Sequence, residues 1–86
     1  MPEISRFFGI VIKMFFDDHN PAHFHAEYGE HAALIDIRNL SVFAGWLPAR
    51  ALGLIIEWAT LHRDELLENW ENAKTQKELQ KIAPLE

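Results

Sequence analysis

The chain has 86 residues and a mass of 10.0 kDa, with 49% hydrophobic residues, 24% charged residues and a formal net charge of −5. This length has room for one hydrophobic core, so we predict a single domain over residues 1–86. The balanced composition argues against disorder, and the absence of cysteine excludes disulfides and thiolate metal sites. Because phosphate contacts need lysine and arginine, we do not expect the acidic chain to bind nucleic acid on its own.

The sequence also predicts a cytoplasmic protein. Its first residues include no basic segment followed by a long apolar stretch, the pattern that a signal peptide requires. No apolar run approaches the roughly 18 residues of a membrane span. We therefore expect no contact with a membrane.

The first half of the chain, residues 1–47, has the pattern of an antiparallel sheet. Residues 10–16 are β-branched and aromatic, and they end at the turn-forming segment Asp17–Pro21, as a strand would. Residues 22–37 predict a hairpin of two strands. Residues 40–46 predict a further strand, so the sheet has three or four strands in all.

The hairpin pattern predicts a definite register. If Gly29 and Glu30 form the two-residue loop, His23 lies directly across from Asp36. Phe24 and the residues at every second position from it then share one apolar face, which suits the core. His25 shares the opposite face with His23 and Asp36, and a slip of one residue would reverse this assignment.

The second half of the chain predicts one long helix. Pro48 is suited to the first turn, and apolar residues recur at spacings of three, four and seven over residues 48–73. The tail, residues 74–86, either docks as an extended arm or meets a partner chain. The predicted fold is thus α+β, with a three- to four-stranded antiparallel sheet packed against one long C-terminal helix.

Four of the five histidines lie between residues 19 and 31 and form the main candidate site. In a strand, His23 and His25 point to the same face with Cα atoms about 6–7 Å apart. With His19 from the preceding turn they form a candidate metal site, to which Asp36 or Glu27 could add a carboxylate. Zinc, iron, nickel or manganese would suit such ligands, so a divalent transition metal is the candidate cofactor.

Two other interpretations of the cluster need no metal. His23 and His25 could act as catalytic general base and general acid, with Asp36 orienting one ring. Arg6 or Lys13 could then neutralise a phosphate during RNA cleavage, although the net charge of −5 argues against a polyanionic substrate. Alternatively, the histidines are structural and stabilise the turn before the strand.

The predicted outer face of the sheet carries apolar side chains, including Val11, Phe15 and Leu34. An exposed apolar patch of this kind typically marks a partner surface. We therefore expect either self-association or a dedicated protein partner.

Three segments of the chain are distinctive: Pro-Glu-Ile-Ser-Arg-Phe-Phe-Gly at residues 2–9, Asp-His-Asn-Pro-Ala-His-Phe-His-Ala at residues 18–26, and the Glu-Trp-Ala to Asn-Trp segment at residues 57–70. They resemble a widespread bacterial family, a domain of unknown function with the signature His-Asn-Pro-Pro-His-Phe-His. This chain has Ala22 where the family commonly has a second proline. The resemblance implies one component of a two-gene toxin–antitoxin-type pair. It draws attention to these motif positions: His19, His23, His25, His62 and Arg63.

Together these features predict a small cytoplasmic component of a toxin–antitoxin-type module that acts through a cognate small protein partner or as a homo-oligomer. The histidine cluster is its candidate metal or acid–base site, with Arg6, His62 and Arg63 as further candidates. One alternative is a noncatalytic protein-interaction module with structural histidines. Another is a small metal-dependent enzyme.

Overall fold

The computed structural model describes residues 3–16 and 19–86, which adopt an α+β fold. Each strand pairs with the next in an antiparallel sheet of order β1-β2-β3-β4-β5. The elements in chain order are β1 (Glu3–Phe7), β2 (Ile10–Lys13), β3 (His23–Tyr28), β4 (His31–Asp36), β5 (Val42–Gly45), α1 (Ala49–Leu61) and α2 (Arg63–Lys74).

The sheet has five strands, whereas the sequence predicts three or four. The additional strand is β1, which pairs with β2 through a two-residue turn at Phe8 and Gly9. Both turn residues have positive φ, 51° and 81°, as a type I′ hairpin turn requires. Phenylalanine is not a turn-forming residue, so the sequence offers little sign of this turn. Asp17 and Asp18, assigned to the next turn from the sequence, lie outside the described residues.

The predicted register of the central hairpin is confirmed. His23 pairs with Asp36, Phe24 with Ile35, and Tyr28 with His31. Phe24 and Ile35 are fully buried, which places the apolar face of β3 and β4 in the core. The face that carries the histidines is therefore on the other side of the sheet.

The prediction of a single helix over residues 48–73 was wrong, because the chain breaks at His62. This residue has φ −120° and ψ 25°, and it ends α1 and precedes α2. Its imidazole Nδ1 lies 2.5 Å from Glu65 Oε1 in the first turn of α2. Buried residues continue at helical spacing on both sides of the break, from Trp58 to Leu66, so periodicity alone could not detect it.

The centre of the core is the fully buried ring of Trp58 on α1. Its centroid lies 5.3 Å from that of Phe7 on β1 and 5.9 Å from that of Phe24 on β3. A buried indole N–H needs an acceptor, and here Trp58 Nε1 donates to the Ala83 carbonyl at 2.8 Å. The core thus includes the C-terminal segment.

The tail docks as an extended arm rather than projecting from the domain. Ile82 is buried, and its N–H donates to the Ile4 carbonyl of β1 at 2.8 Å. Buried Asn69 of α2 holds Gln80 at two points: its Nδ2 donates to the Gln80 carbonyl at 2.8 Å, and its Oδ1 accepts the Gln80 N–H at 2.9 Å. The arm is therefore fastened to both the sheet and a helix.

We expect Asn69→Ala to lower the free energy of unfolding by about 1–3 kcal/mol, because it removes the two part-buried hydrogen bonds that hold the Gln80 backbone. The matched control is Asn72→Ala in the same helix, where the backbone carbonyl rather than the side chain accepts the Lys77 N–H. That control should change stability by less than about 0.5 kcal/mol. Urea denaturation measures both, and equal losses would contradict the fastening role of Asn69.

Candidate functional site

The candidate site lies on the sheet face that does not form the core, here called the open face. Strand β3 divides its side chains between the two sides, since Phe24 and Ala26 are fully buried whereas His25 and Glu27 are only half-buried. Strand pairing and ring contacts place the following residues on the open face: Val11, Lys13, Phe15, His25, Glu27, Ala32, Leu34, Phe43 and Ala44. Strand alternation, together with the register shift between β4 and β5 that lets the adjacent Phe43 and Ala44 share a face, thus brings imidazole, aromatic and aliphatic groups onto one surface.

His23 and His25 lie together, with ring centroids 5.2 Å apart, but their surroundings differ. His23 is only 4% exposed. Its ring centroid lies 5.1 Å from that of Trp70 on α2 and 5.3 Å from that of Phe43 on β5. His25 is half-buried and meets the Phe15 ring edge-on at 4.5 Å. Of the two imidazoles, His25 is therefore the one more accessible to a ligand.

A hydrogen bond determines the protonation of one His23 nitrogen. The Nδ1 atom lies 2.7 Å from the Pro21 carbonyl oxygen. A carbonyl can only accept, so Nδ1 carries the proton and the lone pair of the neutral ring is on Nε2. Metal-binding and general-base histidines are often oriented in this way. The same bond also anchors the loop before β3.

The open face has a shallow depression of about 160 Å³ beside His25. Small residues create it, because Ala32, Ala44 and Gly45 leave room between the strands. Gly45 has φ 82°, and an added Cβ would lie 2.3 Å from the Ala32 carbonyl oxygen, so only glycine fits at this position.

Polar groups stand beside this largely apolar depression. Glu27 lines it together with His25, and Leu34 supplies aliphatic surface. Lys13 Nζ lies 3.1 Å from Glu27 Oε2, so the carboxylate is part of an ion pair. The depression therefore offers an imidazole and a paired carboxylate above an apolar floor.

Asp36, expected to orient an imidazole, lies opposite His23 in the sheet register. Its Oδ1 accepts the N–H groups of Arg38 at 2.7 Å and Asn39 at 2.9 Å. This carboxylate therefore stabilises the turn that follows β4.

Arg6, which with Lys13 was one of two candidates to neutralise a phosphate, donates two hydrogen bonds to the Glu3 carboxylate at 2.9 and 3.0 Å. The hydrogen bond lowers the pKa of the Glu3 carboxyl and raises the pKa of Arg6. The exposed Arg6 guanidinium is therefore already paired with a carboxylate of its own strand.

The remaining candidates are not all brought together. His19 is exposed in the loop that leads to β3. His62 and Arg63 lie at the junction of the two helices, where they line a separate cavity of about 370 Å³. Within residues 3–16 and 19–86, no three histidine, aspartate or glutamate side chains are grouped so as to hold a metal ion.

Two residues at the site were not among the candidates identified from the sequence. Trp70 and Phe43 both contact the His23 ring, and Phe43 is 45% exposed. Strand alternation places Phe43 on the open face once its strand is paired with β4. The contact of Trp70 has no comparable sequence signal, because it depends on where α2 packs.

The molecule is thus a five-stranded α+β domain with a histidine pair on one sheet face. The chain matches the family model described as "Domain of unknown function (DUF4160)" over residues 9–71, about three quarters of its length. It therefore belongs to this family. No curated protein and no solved structure matches it significantly. Across the described residues, none of the helices combines the length and apolar character needed to span a membrane.

We expect His23→Ala to destabilise the fold by about 2–4 kcal/mol, because it leaves a cavity between rings and removes the donor to the Pro21 carbonyl. His25→Ala should lower the free energy of unfolding by a smaller amount, about 1 kcal/mol, because that side chain is only half-buried. Chemical denaturation of the two variants tests the difference. Equal costs would show that His23 is not the more firmly packed residue.

Proposed function

We propose that this protein is the small partner-binding component of a two-gene toxin–antitoxin-type module, and that its cognate protein docks on the open face. The observation that carries the proposal is the apolar character of this face. An antiparallel sheet with one solvated face usually presents polar side chains there. Here Phe15 and Phe43 are 38% and 45% exposed. Exposed aromatic residues on a continuous surface are typical of protein interfaces.

The depression beside His25 supports a protein partner in particular. Its volume of about 160 Å³ suits one inserted side chain. Interfaces concentrate binding energy where an anchor residue fills such a pocket and neighbouring contacts exclude water. The formal net charge of −5 favours a cationic partner through electrostatic steering.

In this proposal the histidine pair is the candidate acid–base site, and a docked partner would cover it. His25 lines the depression and is the group placed to exchange a proton with a bound molecule. His23 lies next to His25, and its ring is oriented by the hydrogen bond to the Pro21 carbonyl. A divalent metal held by His19, His23 and His25 would require these side chains to move together, since the described residues do not group three such ligands.

The second candidate function is a noncatalytic interaction module. One observation favours it: His23 is 4% exposed and packed between the rings of Trp70 and Phe43. Such a histidine can be explained by packing and a hydrogen bond alone. Docking on the open face is common to both candidates, so the docking and the chemistry require separate tests.

Docking is tested by co-expressing the tagged chain with the product of the gene adjacent to its own. We expect a stable complex that Ala44→Glu weakens at least about tenfold, because it places a charge in the depression. The matched control is Ala83→Glu, the same change at an exposed position of the arm. A complex unaffected by Ala44→Glu, or no complex at all, would contradict the proposed interface.

The chemistry is tested by His25→Gln, which keeps the side chain polar but removes the imidazole. We expect this variant to bind its partner normally and to lose any growth effect that the chain produces when expressed alone. Growth curves and the complex assay are measured for the same variants. A growth effect that survives His25→Gln would favour the noncatalytic module.

A further inference from the structure

We propose that a second pocket, on the helix side of the sheet, binds a small single-ring aromatic carboxylate. It lies where the β1–β2 turn, the end of β3 and the start of α1 meet. Its lining residues are Phe8, Tyr28, Arg50, Ala51 and Leu54, and its volume is about 280 Å³. The proposal does not depend on the open face or on the histidines.

The size and walls of the pocket suit one aromatic ring with a short acidic tail. A cavity of about 150 Å³ lined by apolar groups holds benzene, so 280 Å³ leaves space for a carboxylate as well. Phe8 and Tyr28 supply aromatic surface, and Leu54 supplies aliphatic surface. The Tyr28 ring rests against the turn, since a Cβ added at Gly9 would lie 3.6 Å from it.

Arg50 determines the charge of the expected ligand. It is the one charged residue among the described lining residues, which include no carboxylate. No ion pair within residues 3–16 and 19–86 involves its guanidinium, in contrast to Arg6, which is paired with Glu3. A guanidinium binds a carboxylate through two parallel hydrogen bonds, which a ligand would supply here.

The start of α1 adds to this positive potential. Its first turn contains no acidic residue, and Pro48 provides no side-chain cap. The exposed N–H groups of a helix start favour an anion. Tyr28, which also lines the pocket, has a hydroxyl that can donate a further hydrogen bond.

The conformation of Phe8 is an independent indication of a ligand. Its φ of 51° is a left-handed conformation that asparagine or glycine adopts more easily at this turn position. The side chain is also 58% exposed, so little burial compensates for the strain. A strained, exposed aromatic residue beside an arginine is explained if its ring covers a ligand.

The test measures binding of 3-phenylpropanoate by amide NMR shifts, with its neutral amide, 3-phenylpropanamide, as the control ligand. We expect saturable binding, with shifts centred on Tyr28 and Arg50 and the amide at least about tenfold weaker. Arg50→Gln should remove the preference for the acid. Arg38→Gln, at an arginine of the β4–β5 turn, makes the same charge change and should leave binding unaltered.

Phe8→Asn separates a binding role from a structural one. Asparagine is favoured at this turn position, so the variant should have an unchanged or higher denaturation midpoint while binding falls at least about tenfold for both acid and amide. Unaltered binding in Phe8→Asn, or equal binding of acid and amide by the unmodified chain, would overturn the proposal. So would binding of a peptide ending in phenylalanine without binding of the free acid.

Discussion

The buried indole of Trp58 is the interaction on which the rest of this structure depends. Its ring lies against Phe7 of β1 and Phe24 of β3, which joins the sheet to α1. Its N–H cannot remain unpaired in the core, and it reaches the Ala83 carbonyl of the C-terminal arm. One side chain thus links an edge strand, a central strand, a helix and the last residues of the chain.

The arm and β1 complete one side of the fold. The family match spans residues 9–71 and includes neither the strand Glu3–Phe7 nor the arm. These two segments bond to each other through the Ile82 N–H and the Ile4 carbonyl. An edge strand otherwise presents unpaired backbone groups to solvent, so this contact protects part of the β1 edge.

The two faces of the sheet have different physical roles. One face is buried under the helices and the arm, and apart from Ser5 its buried side chains are aliphatic or aromatic. The other carries His25, a depression made by alanine and glycine, and partly exposed phenylalanines. His23 lies where this face meets α2, and Trp70 covers it. If a partner docks on the open face as proposed, stability and partner binding can be altered separately at most positions of the sheet, but not at His23.

The sequence by itself determined the α+β class, the pairing of β3 with β4 and the common side of His23 and His25. Side-chain alternation and a glycine turn are local properties, so no distant contact is needed to deduce them. The break at His62 could not be deduced, because apolar spacing continues across it. Nor could β1, because Phe8 occupies a turn position that glycine or asparagine usually fills. Only the tertiary structure buried His23 beneath Trp70 and brought Phe8, Tyr28 and Arg50 around one pocket. Those contacts join residues far apart in the chain, and their geometry depends on how the helices pack against the sheet.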